Sequence, residues 1–149
     1  MKNIKNLLKI CAFALLVIVG LIIVHKVRTP VLNNKDIRDY KKKYTRENDY
    51  IDKIKFEYHE AGLEIQYYVK DISEDQANLI VEDTQKFVSD EEFRDCFSEK
   101  YRKKYKNITR NLSDGYAPPA TIVIYDASNK FPIYSYSADA PYTNWSLMN

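Results

Sequence analysis

The chain has 149 residues and a formal net charge of +2, with 45% hydrophobic and 13% aromatic residues. Residues 1–46 hold eleven basic groups and two acids, whereas residues 47–149 hold twelve basic groups and nineteen acids. The aromatic content argues against a disordered tail, and the acidic second part argues against binding to nucleic acid. Two cysteines, Cys11 and Cys96, cannot form a disulfide framework or a thiolate metal site. Heavy use of Asn, Lys, Ile, Tyr and Phe fits AT-rich codons and favours a bacterial source.

An apolar segment near the N-terminus predicts a membrane anchor. Residues 10–24 carry no charge, and they cover roughly 22 Å of helix at about 1.5 Å per residue. A helix over 7–27 covers about 31 Å, enough for a hydrocarbon core of about 30 Å. The segment ends without the small residues of a cleavage site, and Cys11 precedes most of it, unlike a lipidated cysteine. We therefore predict an uncleaved transmembrane signal anchor at 1–28.

The orientation of this anchor rests on two opposing observations. Basic residues are more numerous on its C-terminal side, which favours a cytoplasmic domain by the positive-inside rule. The N-terminal tail, however, is short and carries three lysines, and a first helix of this kind usually inserts with its basic tail retained inside. We favour the second argument and predict a single-pass protein of the cell membrane with an extracytoplasmic soluble domain.

A basic segment at 29–49 follows the anchor and predicts a juxtamembrane helical stalk. Pro30 ends the membrane helix, and a new helix is expected over 35–48. Its apolar stripe consists of Ile37, Tyr40 and Tyr44. The stalk is either a solvated spacer or a collar on anionic lipid, with tyrosines at the headgroups and lysines toward phosphate. The residues expected at the membrane surface are all basic: Lys26, Arg28, Lys41, Lys42 and Lys43.

Alternating apolar and polar residues predict two hairpins in the remaining chain. The first pairs 54–58 with 63–69 around a turn in which Gly62 supplies a positive φ. The second pairs 121–125 with 131–136 across a stretch of turn-forming residues. Both hairpins are antiparallel.

Two helices are predicted between the hairpins. Ser73 and Gln76 form a capping box for the first helix, and Ser89 and Glu92 form one for the second. The order hairpin, two helices, hairpin predicts an α+β fold in which helices cover one face of a small antiparallel sheet of about four strands. This compact acidic domain is expected at 50–149.

No motif in the sequence predicts catalysis. His25 borders the membrane segment, and His59 lies at a hairpin turn, where a solvated surface side chain is the simpler interpretation. Cys96 falls on the apolar stripe of the second helix, and the obvious acid pairs lie at helix starts, where they suit the helix dipole. No phosphate-binding loop, zinc-binding helix or nucleophile elbow occurs. We predict a non-enzymatic protein without a cofactor or a metal.

Tyrosine, with thirteen residues, is the remaining functional signal. Most strand tyrosines, including Tyr125, are expected to pack, but Tyr68 and Tyr136 could face the other side of the sheet and form a partner or ligand surface. The predicted function is a membrane-anchored, extracytoplasmic protein-interaction domain of a bacterial envelope assembly, with the lipid bilayer and another envelope protein as partners. The alternative is a domain that binds a cell-wall polymer or a peptide on the Tyr-bearing sheet face.

Overall fold

The computed structural model describes residues 31–110, 116–128 and 131–148. These residues belong to one compact unit, Val31–Asn149. The transmembrane segment predicted at 1–28 lies outside the described residues. In the part of the chain that is described, no helix has both the length and the apolar character needed to cross a membrane.

The described residues form four helices and five strands, which confirms the predicted α+β class. In chain order these elements are α1 (Lys35–Glu47), β1 (Ile51–His59), β2 (Gly62–Val69), α2 (Glu74–Val88), α3 (Glu91–Lys104), α4 (Lys106–Thr109), β3 (Ala120–Asp126), β4 (Pro132–Ala138) and β5 (Ser146–Leu147).

The sheet is mixed, so the prediction of a purely antiparallel, four-stranded sheet is wrong. Its strand order is β1-β2-β3-β4-β5, and the central pair β2–β3 is parallel, with Leu63 beside Ala120 and Tyr67 beside Ile124. The other three pairs are antiparallel. Helices α2 to α4 return the chain to the end of the sheet where β2 begins, and β3 therefore runs in the direction of β2.

One face of the sheet packs against the helices. Phe56 is fully buried, and its ring contacts one ring from each of three helices: Tyr40 of α1 at 6.0 Å, Phe87 of α2 at 5.8 Å and Phe93 of α3 at 6.3 Å between centroids. The same face continues through the register partners Phe56–Ile65 and Ile65–Ile122 across the next two strands. The core therefore lies between this face and the helical layer.

Helix α1 forms close to the predicted bounds and is part of the compact unit. Asn34 caps it by accepting a hydrogen bond of 2.8 Å from the amide of Ile37. Ile37 is fully buried and Tyr44 is buried, while Tyr40 packs against the core. The compact unit thus begins ahead of the boundary predicted at residue 50, and the two tyrosines contact the core instead of the lipid headgroups expected for a collar.

The two helix caps differ in how well the sequence predicts them. The capping box of Ser73 and Gln76 forms as predicted. For α3 the N-cap is Asp90, whose carboxylate accepts the capping hydrogen bond at 3.1 Å, and the predicted cap at Ser89 is wrong. The Ser89 hydroxyl instead donates to the carbonyl oxygen of the buried Tyr142 at 3.1 Å, so the cap residue is displaced by a contact with the C-terminal segment.

A chain of three hydroxyls joins α1, β2 and α2 inside the core. The Thr84 hydroxyl donates to the carbonyl oxygen of Ile80 at 2.6 Å, so its oxygen must accept from Tyr67, 2.6 Å away. Tyr67 has then used its only proton and accepts from Tyr40 at 2.8 Å. Burial raises the pKa of Tyr67 well above its ordinary value, which keeps the buried phenol protonated.

We expect Tyr67→Phe to destabilise the fold by about 1–3 kcal/mol, because it removes an acceptor from Tyr40 and a donor from Thr84 inside the core. Thermal unfolding of the full chain in detergent, followed by the fluorescence of Trp145, the only tryptophan, measures this. Tyr134→Phe is the matched control, since no hydrogen bond of the Tyr134 hydroxyl occurs among the described residues. Equal melting temperatures for the two variants would contradict the hydroxyl chain.

Gly62 determines how closely β2 can approach the segment before β3. Its φ of +136° is one that residues with a Cβ rarely adopt, and a Cβ at this position would overlap the carbonyl oxygen of Pro119. That same oxygen accepts a 3.0 Å hydrogen bond from the amide of Leu63. The start of the parallel pair therefore requires glycine.

Gly62→Ala is expected to lower the free energy of unfolding by at least about 2 kcal/mol, because backbone strain and the overlap with Pro119 act together. Urea denaturation followed by circular dichroism gives the value. The exposed neighbour serves as control, since Ala61→Gly adds only backbone freedom and should cost less than about 1 kcal/mol. If Gly62→Ala lowered the free energy of unfolding no more than Ala61→Gly does, the close approach of Gly62 to Pro119 would not constrain the fold.

Candidate functional site

The second face of the sheet is left uncovered by the described helices. Alternate residues of the four long strands point to this side, because the side-chain direction alternates along each strand. We call this surface the open face; its residues are Lys53, Lys55, Glu57, His59, Glu64, Gln66, Tyr68, Thr121, Val123, Tyr125, Ile133, Ser135 and Ser137.

Two tyrosines stand side by side on the open face. Tyr68 of β2 and Tyr125 of β3 are register partners, and their rings stack with centroids 5.2 Å apart and an angle of 15°. On the β1 side, the Lys55 ammonium lies 5.1 Å from the Tyr68 ring centroid and 3.2 Å from its hydroxyl oxygen. Tyr68 is therefore stacked on Tyr125 through one ring face and is hydrogen-bonded to Lys55 at its hydroxyl.

A glutamine organises the acidic part of the open face. Glu57 and Glu64 are register partners, so two carboxylates lie side by side on adjacent strands, an arrangement that is unfavourable by itself. The nearly buried Gln66 amide donates to Glu64 at 2.5 Å and to Glu57 at 3.4 Å, and its oxygen accepts from the Tyr68 hydroxyl at 3.0 Å. His59 Nε2 lies 3.4 Å from the Glu64 carboxylate. These bonds fix the orientations of the carboxylates.

The structure separates the two tyrosines that were predicted to form a surface. Tyr68 lies on the open face, as expected. Tyr136 pairs with Ile122 on the helix-covered face, is only 8% exposed and belongs to the core. The two side chains point to opposite sides of the sheet and form no common surface.

Sequence reasoning missed Tyr125, which was assigned to packing and in fact joins Tyr68 on the open face. Strand β3 is apolar at three consecutive positions, Ile122, Val123 and Ile124, so its pattern does not show which residues face the core. The register with β2 decides this, because it places Ile124 beside the buried Tyr67.

The basic residues expected at the membrane surface are only partly described. Lys26 and Arg28 lie outside the described residues. Lys41, Lys42 and Lys43 are consecutive on α1 and therefore project about 100° apart around the helix. They do not share one face of the helix, and the pKa of Lys41 is lowered, first by burial and then by the nearby charge of Lys53 on β1.

The described residues do not assemble a recognisable catalytic centre. No hydroxyl or thiol side chain among them donates a hydrogen bond to His59, and Cys96 accepts a hydrogen bond from Asn34 at 3.7 Å. No cluster of three or more His, Cys, Asp or Glu residues in the described ranges could hold a metal ion. The concave regions are shallow grooves, of which the one between α1 and α2 has a volume of about 340 Å³ and is lined by Tyr40, Tyr44 and Phe87 with charged neighbours.

The chain matches no protein-family model. No curated protein and no solved structure matches it significantly either. The function is therefore inferred from the residues and their geometry.

The pKa of Tyr125 reports on the arrangement of the open face. Burial raises this pKa above its ordinary value, and the nearby Glu64 carboxylate raises it further, because the negative charge disfavours a phenolate. We expect Glu64→Gln to lower the pKa of Tyr125, as measured by NMR titration of the tyrosine ring carbons. Glu91→Gln, at the exposed start of α3, should leave it unchanged. An unchanged or higher pKa in Glu64→Gln would be incompatible with the arrangement described for the open face.

Proposed function

We propose that the chain is a membrane-anchored, non-enzymatic protein-interaction domain of a bacterial envelope assembly, and that the open face is its protein-binding surface. The observation that carries this proposal is a rigid sheet face that presents aromatic edges and charges of both signs without a covering element among the described residues. Aromatic side chains within a polar surround are typical of surfaces that bind proteins.

The anchoring part of the proposal is supported by the sequence. Residues 10–24 are long enough to cross a bilayer once the flanking residues are included, and the three lysines before them favour a tail retained in the cytoplasm. The domain would then lie outside the cell membrane. Basic side chains between the anchor and the sheet, Lys42 among them, would contact anionic headgroups, since residues 29–46 hold six basic groups and two acids.

A protein partner fits the open face better than a wall polymer does. Sugar rings bind most readily to a free aromatic ring face, but Tyr68 and Tyr125 cover one ring face of each other by stacking, and the Lys55 ammonium lies at the Tyr68 hydroxyl. The exposed groups are instead ring edges, hydroxyls, ammonium groups and carboxylates. Such groups complement the mixed polar and apolar surface of another protein.

Site-specific photo-cross-linking in the source cells tests the proposal. A benzophenone amino acid replaces Tyr68 on the open face in one variant and Leu79, 50% exposed on α2, in the control. We expect irradiation to give a protein adduct of defined mass at position 68 and none at position 79, because only the open face is proposed to contact a partner.

Two results would contradict this proposal. Equal adducts at both positions would mean that the open face is not the binding surface. Heterogeneous adducts at position 68 that a cell-wall hydrolase collapses to the mass of the chain would favour a wall polymer as the ligand instead.

A further inference from the structure

We propose that the partner of the open face is a second copy of this chain, with the two sheets packed face to face and their strands antiparallel. This inference deepens the proposed function and rests on it, because it names the occupant of the same surface. It is carried by the distribution of charge along the strands.

The open face has charges of opposite sign at its two ends. Lys53 and Lys55 lie at one end, which we call the lysine end, and Glu57 and Glu64 lie at the other, the glutamate end. The ion pairs found among the described residues involve neither lysine, and the one contact of this kind at Glu64 is with His59 Nε2, 3.4 Å away. Each end therefore retains charge that no ion pair among the described residues neutralises.

Neither lysine of the lysine end has a carboxylate partner among the described residues. The Lys55 ammonium is held at the Tyr68 hydroxyl, toward the lysine end, and makes no ion pair with its strand neighbour Glu57. At the same end, burial lowers the pKa of Lys41 on α1, and the nearby charge of Lys53 lowers it further. An external group of negative charge would be attracted to this end.

A two-fold axis supplies that group from the same surface. We place this axis between the two sheets and perpendicular to the strands, at a point along β1 midway between Lys55 and Glu57. Each β1 then lies over the β1 of the other copy and runs in the opposite direction. Lys55 of one copy then lies over Glu57 of the other, and the reverse pair forms by symmetry. Packed sheets are about 10 Å apart, a gap that a lysine and a glutamate can bridge. Val123, near the centre of the face, lies close to Thr121 of the second copy.

The size of the open face sets the strength of this contact. Strands of about seven residues, at roughly 3.3 Å each and spaced about 4.8 Å apart, give the four long strands an area on the order of 440 Å². Two copies would bury roughly 900 Å² together, less than the ~1,200–2,000 Å² of stable complexes. The dimer is therefore weak in free solution and depends on anchoring, which confines both copies to one membrane plane and raises their effective concentration.

Cysteine cross-linking of the full chain in membranes tests the dimer. The background variant carries Cys11→Ser and Cys96→Ser, so that only the introduced thiol reacts. Thr121→Cys reports on the open face, and Leu79→Cys on α2 is the matched control. With a short bismaleimide and two differently tagged copies, we expect a doubly tagged product for Thr121→Cys at roughly ten times the control yield, because the axis passes close to Thr121.

Charge reversal provides the specific readout. Lys55→Glu alone, or Glu57→Lys alone, is expected to reduce the cross-linked fraction roughly tenfold, because each places like charges over one another twice in the dimer. Co-expression of the two single variants should restore the product between unlike copies, since each reversed charge then meets its complement. Restoration also shows that both variants are folded.

The possible failures separate this inference from the proposed function. Absence of the self-product, together with adducts between the open face and a different protein, would overturn the dimer and leave the protein-binding function standing. Absence of any protein adduct at the open face would overturn both. A self-product that is insensitive to the charge reversals would overturn the antiparallel arrangement.

Discussion

The buried Tyr67 hydroxyl is the interaction on which the architecture depends. A phenol with no exposed surface must have its hydrogen bonds satisfied inside the protein, and here they come from two different helices. Since each hydroxyl has one proton, the chain from Tyr40 through Tyr67 and Thr84 to a helix carbonyl oxygen has a single consistent direction. This fixes α1 and α2 against β2, at the centre of the sheet, and explains why a helix that follows the predicted anchor is part of the core.

Because the helices pack on one side of the sheet, the two faces of the sheet differ in the kinds of side chain they carry. The covered face is made of aliphatic and aromatic side chains in mutual contact, such as Phe56 and Ile65. The open face carries lysines, glutamates and two stacked tyrosines held by hydrogen bonds within the sheet. Because these side chains are fixed by their neighbours on rigid strands, the surface is largely formed before any partner binds, which lowers the entropic cost of association.

The open face also carries neighbouring like charges that the fold itself does not require. Side-by-side carboxylates at Glu57 and Glu64 and neighbouring lysines at Lys53 and Lys55 are like-charge arrangements that a monomer gains nothing from. Gln66 moderates the first of these but leaves the carboxylates partly accessible. Such neighbouring like charges are explained if a partner provides the compensating charges. Because the lysines lie toward one end of the strands and the glutamates toward the other, a second copy of the surface, turned end for end, would provide them.

The sequence by itself determined the local structure of this protein: both hairpins, the capping box at Ser73 and the bounds of α1 within a residue or two. These features depend on hydrogen bonds and side-chain periodicity within a few residues, which the sequence records directly. Tyr68 was placed on the correct side because β2 alternates clearly. Only the tertiary structure decided the parallel pairing of β2 with β3, the faces of Tyr125 and Tyr136, and the shift of a helix cap to Asp90. Each of these depends on contacts between segments far apart in the chain, and local patterns carry no information about which distant segments meet.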